Sequence, residues 1–465
     1  MKRIFFVVAI TFCTLRVAWA GGFLTNTNQN VHFLRNPARG ASTGIDAAYT
    51  NPAGLAFLKG DGFFFSLNNQ SAFQTRTITA DFAPFAGFGG NSTKEFEGEA
   101  SAWVIPNLQA AYKTGNWAFS ANIGVTGGGG SLDFSSGLPS FESTLAIVPA
   151  FLKQMQPVFG GYSLESRLEG SSVTYGVQAG ATYTIGKHFS TYVGVRYHYA
   201  NNGYNGYLKN IQLGLGGNML PAQTVIAPVI EQFPQYAGLA LLVAEKNLDC
   251  KQSGAGIAPI IGLNYNWNKL NIGAKYEFKT NLDLKNKTIG NTTGLADFND
   301  GVVTPYDIPA LLTVGAQYDI LPKLNVSVSY HHFFDSDAEM ANDKQKFLNG
   351  GVNEYLAGVE YKINDLFLVS CGAQITRTSA TDNYQSDLNF ALNSYSFGLG
   401  GAISISKNIR LNLAYLFTNY ENWTKKSDDY GKINSLTGGS LSKTAGTDIF
   451  GRTNQTFGIG LDFHF

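Results

Sequence analysis

Hydrophobic and polar residues alternate with a period of two over most of the chain after residue 60. In residues 270–278, for example, Leu, Ile, Ala, Tyr and Phe occupy one face, while Asn, Gly, Lys and Glu occupy the other. The same alternation recurs in residues 324–330, 355–362 and 394–400. Sustained alternation of this kind is typical of β-strands that have one apolar face. The chain is therefore predicted to be largely β.

Short turns and long polar connections separate these strands in alternation. Six short turns are predicted at residues 114–116, 186–188, 267–269, 321–323, 364–365 and 407–408. One strand on each side of every turn, a lead-in strand from about residue 62 and a closing strand over residues 450–465 make about 14 strands. Short turns at one end, long loops at the other and an even strand number are typical of outer-membrane barrels. We therefore predict an all-β fold, a transmembrane antiparallel β-barrel of about 14 strands.

The composition and both ends of the sequence agree with an exported barrel. The 465 residues include 34 Phe, 23 Tyr and 53 Gly. Residues 1–20 have two early basic residues, an apolar run and a final Ala-Trp-Ala, which is the pattern of a secretory signal peptide. The closing strand ends in Phe465, as is typical of substrates of the barrel-assembly machinery. We expect the bacterial outer membrane as the location, with membrane lipids, lipopolysaccharide and that machinery as partners.

The charge pattern argues against several other classes of protein. The chain balances 33 basic against 33 acidic residues, without the clustered positive charge that nucleic-acid binding needs. The sequence has no G-x-S-x-G motif and no C-x-x-C motif. We therefore expect neither an enzyme nor a cofactor or metal site.

Residues 21–60, between the predicted signal peptide and the first strand, do not fit the β pattern. Residues 41–56 are mostly small and contain Pro52, so they are too irregular to pair as a strand. A compact irregular or helical segment ahead of a large barrel is what a hatch, or plug, inside the lumen would look like. We accordingly divide the chain into a signal peptide (1–20), a hatch (21–60) and a barrel (61–465).

Two of the long outer loops are predicted to contain helices, near residues 140–158 and 222–247. Their apolar residues repeat at helical spacing. Exposed apolar patches usually mark binding sites, so one interpretation is a groove for an apolar ligand. The other is that the helices pack together and cap the barrel mouth. The candidate ligand-binding residues here are Leu145, Leu152, Ile226, Ile230 and Phe233.

A run of glycines follows the third predicted strand, residues 117–125. Glycine weakens a strand and often marks a bend or bulge, so Gly127, Gly128 and Gly129 are candidates for a lateral opening in the barrel wall. The simpler alternative is that these glycines begin a flexible loop.

Three short motifs give the N-terminal region a family resemblance. Gly21-Gly22-Phe23, Asp46-Ala47-Ala48 and Asn51-Pro52-Ala53 together resemble the FadL/TodX family of outer-membrane transporters for hydrophobic compounds. Residues 307–310, before a later strand, resemble the family as well. The resemblance implies a 14-stranded barrel with an N-terminal hatch, capture of an apolar substrate by the outer loops, a lumen pocket and lateral release through the third strand.

The resemblance also implies roles for individual residues. Gly21, Gly22 and Phe23 would reach the lumen pocket, while Asp46, Asn51, Pro52 and Ala53 would shape and gate the hatch. Proline fixes its own φ and biases the residue before it towards an extended conformation, which suits a rigid bend at Asn51 and Pro52.

We therefore expect a passive channel for hydrophobic molecules, with long-chain fatty acids favoured over aromatic hydrocarbons. A fatty acid needs a cationic partner for its carboxylate, and the candidates are Arg35, Arg39, Arg196 and Lys275. The alternative is a surface protein without a transport function, an adhesin or structural barrel.

Overall fold

The strands of this protein join edge to edge in a closed antiparallel ring. The computed structural model describes residues 30–87, 89–432, 434, 439 and 441–465. The predicted signal peptide therefore lies outside the described residues. The strands are β1 (Gly62–Phe82), β2 (Thr93–Thr114), β3 (Trp117–Phe134), β4 (Phe159–Ile185), β5 (Phe189–Leu215), β6 (Asn218–Pro221), β7 (Lys246–Trp267), β8 (Leu270–Glu277), β9 (Asp283–Asn291), β10 (Val303–Pro305), β11 (Leu311–Leu321), β12 (Leu324–Phe333), β13 (Asn353–Lys362), β14 (Phe367–Arg377), β15 (Ser394–Ser404), β16 (Ile409–Tyr420), β17 (Trp423–Ser427) and β18 (Gly446–His464). The ring closes because β1 pairs with both β2 and β18.

Three positions in the ring are each filled by two shorter strands in line. β8 and β9 both pair with β7, and β11 and β10 pair with them from the other side. β16 and β17 both pair with β18, whereas β6 only extends the upper end of β5 as a hairpin. The described barrel thus has 14 strand positions. The predicted barrel of about 14 strands is confirmed, and the six predicted short turns connect neighbouring strands at one end of it.

Side chains alternate between the two faces of the barrel wall. On β5, Phe189, Val193 and Tyr197 are exposed on the outer face, while Arg196 and His198 are buried on the inner face. A soluble sandwich would bury its apolar face, so a closed barrel with an apolar outer face is one that is surrounded by lipid. Closure pairs the first long strand with the last, so that neither end of the described sheet is a free edge strand in the hydrocarbon phase. The chain therefore forms a membrane barrel of the outer-membrane type.

Helices occupy the long loops and the N-terminal region. They are α1 (Val31–Arg35), α2 (Ala47–Thr50), α3 (Pro139–Met155), α4 (Ala222–Gln232) and α5 (Leu239–Leu242), and a 3-10 helix covers Pro52–Phe57. α3, α4 and α5 pack with the upper ends of β1, β2 and β18 in one apolar core, which includes Ile78, Phe82, Phe96 and Phe450. None of the described helices is long and apolar enough to span a bilayer.

Residues 30–58, called here the N-terminal segment, lie inside the ring of strands. The Val31 backbone N–H donates to the Asn68 side chain on β1 (3.3 Å), and the Arg35 guanidinium donates to Ser370 on β14 (3.0 Å). The segment is also bonded to β4, β5, β8 and β12. These strands are spread around the whole ring, and their bonds to the segment lie near the short turns. The segment therefore fills the barrel at that end.

Inward-facing glycines allow the wall to approach the N-terminal segment closely. A Cβ atom on Gly358 would lie 1.8 Å from Asn36 Oδ1, and one on Gly398 would lie 2.1 Å from the Leu34 carbonyl oxygen. A Cβ atom on Gly315 would lie 2.5 Å from the Gly40 carbonyl carbon. Any side chain at these positions would displace the segment, which gives one physical reason for the high glycine content.

Candidate functional site

A cavity of about 430 Å³, called here the lumen cavity, lies above the N-terminal segment and below the loop helices. Successive inward residues of β1 locate it. Asn68 binds the N-terminal segment, Gln70 and Arg76 line the cavity, and Ile78 belongs to the apolar core beneath the helices. This volume falls within the range of about 300–1,000 Å³ that is usual for small-molecule sites.

The lining of the lumen cavity is mainly apolar. Its apolar walls include Leu132, Phe134, Leu138, Phe141, Leu168, Leu208, Leu248, Phe298, Phe390 and Leu392. The charged residues that line it are Arg76, Lys246, Arg452 and Asp387. Both carboxylate oxygens of Asp387 accept backbone N–H groups, from Ser140 and Leu388. The cavity is therefore suited to an apolar molecule, with an excess of positive charge at its polar wall.

The barrel wall beside this cavity is interrupted. The β2–β3 ladder breaks between the pairs Ser101–Ser131 and Asn107–Gly124, which leaves residues 102–106 of β2 and 125–130 of β3 without a cross-strand partner in that ladder. We call this stretch the wall gap. On its β2 side, Trp103 and Val104 bulge outward and are 69% and 71% exposed. Both edges of the gap, including Ala102 and Gly130, line the lumen cavity, so the cavity reaches the wall at this point.

The candidate glycines Gly127, Gly128 and Gly129 lie within β3, which continues to Phe134. They do not begin a loop. β3 is bulged against β4 on either side of Gly127 and Gly128, with register shifts between Val125 and Gly127 and between Gly128 and Gly130. Gly128 has a φ of +68°, and a Cβ atom there would lie 2.0 Å from the Ser172 carbonyl oxygen. Glycine is therefore required at this bulge for two independent reasons.

The candidate hatch residues are all buried in the N-terminal segment. Asp46 accepts hydrogen bonds from Arg39 Nε at 2.7 Å and from Ser42 Oγ at 2.8 Å. Burial alone would raise the pKa of the Asp46 carboxyl, but the adjacent Arg39 guanidinium holds this pKa well below its usual range. Asp46 is therefore ionised and paired.

The Asn51-Pro52-Ala53 turn is bonded to the wall through its backbone. The Pro52 and Ala53 carbonyl oxygens accept from Thr182 Oγ1 (2.8 Å) and Ser190 Oγ (2.6 Å). Asn51 ends α2, and its side-chain amide donates to the Ser42 carbonyl oxygen at 3.0 Å. The turn thus connects the interior of the segment to β4 and β5.

The four candidate cations for a substrate carboxylate are paired within the protein. Arg35 and Arg39 both bind Glu360, at 3.0 and 3.3 Å. Arg196 is paired with Glu277, and Lys275 lies 3.7 Å from the same carboxylate. Arg35 and Arg39 belong to the N-terminal segment, Arg196 and Lys275 face it from β5 and β8, and none of the four lines the lumen cavity. The partners of Arg35 and Arg196, Glu360 and Glu277, lie on strands that are distant in sequence, which the sequence pattern does not reveal.

The candidate residues of the outer loops are placed in the apolar core. Leu145, Leu152 and Ile226 are almost completely buried there, and Ile230 and Phe233 pack against it. α3 and the residue before it contribute Leu138, Phe141 and Thr144 to the lumen cavity instead. Gly21, Gly22 and Phe23 lie outside the described residues.

Two residues of the lumen cavity, Arg76 and Arg452, are not among the candidates predicted from the sequence. Both occupy inward positions of their strands, so the alternation of polar and apolar residues could have identified them as lumen-facing. Among the described residues, no group of three or more His, Cys, Asp or Glu is arranged to hold a metal ion.

The geometry defines a membrane barrel with an occupied lumen, an apolar cavity and a gap in its wall. Solved structures share this fold. A Pseudomonas aeruginosa FadL homologue has a TM-score of 0.64 and 13% identity, over 96% of this chain and 100% of that one. The P. putida toluene transporter TodX has a TM-score of 0.54 and 16% identity, over 91% of this chain and 95% of that one. No protein-family model and no curated protein matches the sequence.

Proposed function

We propose that the protein is a passive outer-membrane channel for the uptake of hydrophobic molecules, with long-chain fatty acids as the favoured substrates. The observation that carries this proposal is the contact between the apolar lumen cavity and the wall gap. A molecule taken up at the outer loops would occupy the cavity and leave sideways through the gap into the membrane. The N-terminal segment is the hatch that blocks the way straight through.

The physical chemistry of apolar solutes supports a lateral route. Burying one methylene group is favourable by about 0.8 kcal/mol, so a water-filled pore offers a long alkyl chain no favourable path. A cavity with an apolar lining, followed by direct transfer into lipid, keeps the alkyl chain out of water throughout. The names of the structural neighbours, a FadL homologue and a toluene transporter, support the same class of cargo.

The proposed role of the wall gap as the exit can be tested by placing a large side chain in it. Gly130 has no positive φ, and a Cβ atom there would meet only Ala102 Cβ at 3.7 Å and Ser101 O at 3.8 Å. Gly130→Trp should therefore fold while obstructing both the gap and the cavity. We expect uptake of radiolabelled hexadecanoate, into a bacterial host without a channel of its own, to fall by about tenfold or more relative to the unmodified protein.

The matched control is Gly238→Trp in the outer loops, where a Cβ atom would meet nothing within 4 Å. This variant should take up hexadecanoate normally. Normal uptake by Gly130→Trp would refute the lateral route. Failure of the unmodified protein to raise uptake of hexadecanoate or toluene above that of the empty host would refute the channel, and would favour a surface protein without a transport function.

A further inference from the structure

Arg76 and Arg452 lie directly opposite each other where the ring closes. They are partners in the register of β1 and β18, and both line the lumen cavity. Directly opposed residues of an antiparallel pair have Cβ atoms about 4.5–5.5 Å apart, so like charges at such a pair repel each other. The barrel thus brings two guanidinium groups together in an apolar cavity.

Neither guanidinium has an acidic partner among the described residues. The Nε atom of each is buried and makes no hydrogen bond. The groups contact aromatic faces instead, with Arg76 5.5 Å from the centre of the Phe390 ring and Arg452 4.7 Å from that of Tyr420. By contrast, Arg35 and Arg39 in the N-terminal segment and Arg196 beside it are each paired with a carboxylate. Two like charges on opposed residues repel each other, so an anion between the two guanidinium groups would be bound favourably.

The lining of the lumen cavity as a whole carries a net positive charge, like the arginine pair itself. Lys246 also lines the cavity and has no ion pair among the described residues. The one acidic residue of the described lining, Asp387, already accepts two backbone N–H groups. A ligand that enters therefore meets three cations and a carboxylate that is already hydrogen-bonded.

We propose that Arg76 and Arg452 bind the carboxylate of an amphiphile whose alkyl chain fills the lumen cavity. This inference rests on the proposed channel function and specifies its substrate class, a long-chain monocarboxylate rather than a neutral hydrocarbon. The planar fork of a guanidinium matches the two oxygens of a carboxylate and binds it with two parallel hydrogen bonds.

The position of the pair also orients the ligand. Arg76 is four residues above Ala72, which lies opposite Ala102 at the edge of the wall gap. At a rise of about 3.3 Å per residue, the pair is about 13 Å from the gap along β1. A carboxylate held by the two arginines therefore leaves the alkyl chain pointing down the apolar wall towards the exit, so that the chain enters the lipid first.

The test compares two ligands of equal length on the purified full-length protein in lipid nanodiscs. Equilibrium binding is measured for radiolabelled hexadecanoate and for radiolabelled hexadecan-1-ol, which lacks the charge. We expect the unmodified protein to bind the carboxylate at least about tenfold more tightly than the alcohol. In the double variant Arg76→Gln, Arg452→Gln this preference should disappear, while affinity for the alcohol changes by less than about twofold.

Retained binding of the alcohol shows that the double variant is folded. The control, Arg410→Gln, removes an exposed arginine at the start of β16 and should leave both affinities unchanged. Equal affinity of the unmodified protein for the two ligands would overturn the carboxylate site and leave the hydrophobic channel standing. Binding of neither ligand would overturn the channel proposal together with the site.

Discussion

Individual charged residues attach the N-terminal segment to the barrel wall. Arg39 contacts Asp46 within the segment and Glu360 on β13, and Arg35 shares the same glutamate. Burial alone would raise the pKa of the Asp46 carboxyl, but the guanidinium group of Arg39 beside it lowers this pKa and keeps the carboxylate ionised. Breaking a buried pair by removing one partner is costly, because the remaining charge stays buried.

The substitution Asp46→Asn should therefore destabilise the protein. It leaves Arg39 with Glu360 alone, and we expect the free energy of unfolding in detergent micelles, measured by guanidinium titration, to fall by about 3–5 kcal/mol. The control is Asp365→Asn at a fully exposed turn, which should produce no measurable change. An unchanged unfolding free energy for Asp46→Asn would show that the ion pair does not stabilise the segment.

Asp335, in the loop after β12, should make loop stability depend on pH. Burial raises its pKa to about 7, although its carboxylate accepts the Val352 N–H at 2.9 Å. The unfolded value is about 3.9, so between these values the folded loop keeps a proton that the unfolded loop has lost. This contribution to stability is complete below about pH 4 and is lost as pH rises through about 7.

Hydrogen exchange of the amides in residues 334–352 measures this effect. Protection should decrease from pH 5 to pH 8 more strongly in the unmodified protein than in Asp335→Asn. The comparison is needed because burial lowers the pKa of Lys344, in the same loop, to about 7, and this shift has the opposite effect on stability. Asp337→Asn, exposed in the same short helix, should behave like the unmodified protein. Identical pH profiles for Asp335→Asn and the unmodified protein would contradict the assignment.

At the scale of elements, β3 combines regular pairing with a glycine-dependent bulge. The apolar alternation of the strands predicted which side chains face outward, because the side-chain period of a strand is two. The glycine run pointed to the bulge in β3, but nothing in the alternation predicted the bulge in β2, because a bulge changes the register between two strands and can leave a strand's own composition almost unaltered. The wall gap is therefore a property of the paired strands.

Alanine at position 128 should disturb this element. The positive φ and the Ser172 carbonyl oxygen at 2.0 Å both oppose a side chain, so Gly128→Ala should lower the unfolding free energy by about 1–3 kcal/mol. Thermal unfolding monitored by circular dichroism measures the loss. Gly170→Ala on β4, where a Cβ atom would meet nothing within 4 Å, should be nearly neutral. Equal stability of the two variants would show that the bulge is not under steric constraint.

At the scale of the whole molecule, the N-terminal segment and the helical loops occupy opposite ends of the barrel with the lumen cavity between them. Deleting residues 30–58 should leave a lumen lined by polar side chains such as Ser190, Gln178 and Asn264, which water can solvate. We expect a large increase in ion conductance across planar bilayers relative to the full chain. Conductance that stays at the level of the full chain would mean that the loop core alone closes the barrel.

The sequence by itself determined the strand number, the short turns and the inner and outer faces, because each depends on residues that are close together in the chain. The tertiary structure decided which charges are neutralised and which are available. Arg35 and Arg196 are paired with carboxylates on strands remote in sequence, whereas Arg76 and Arg452 meet only because β18 closes against β1 in one register. An ion pair depends on distance in space, and strand pairing at the closure sets that distance between residues from opposite ends of the chain.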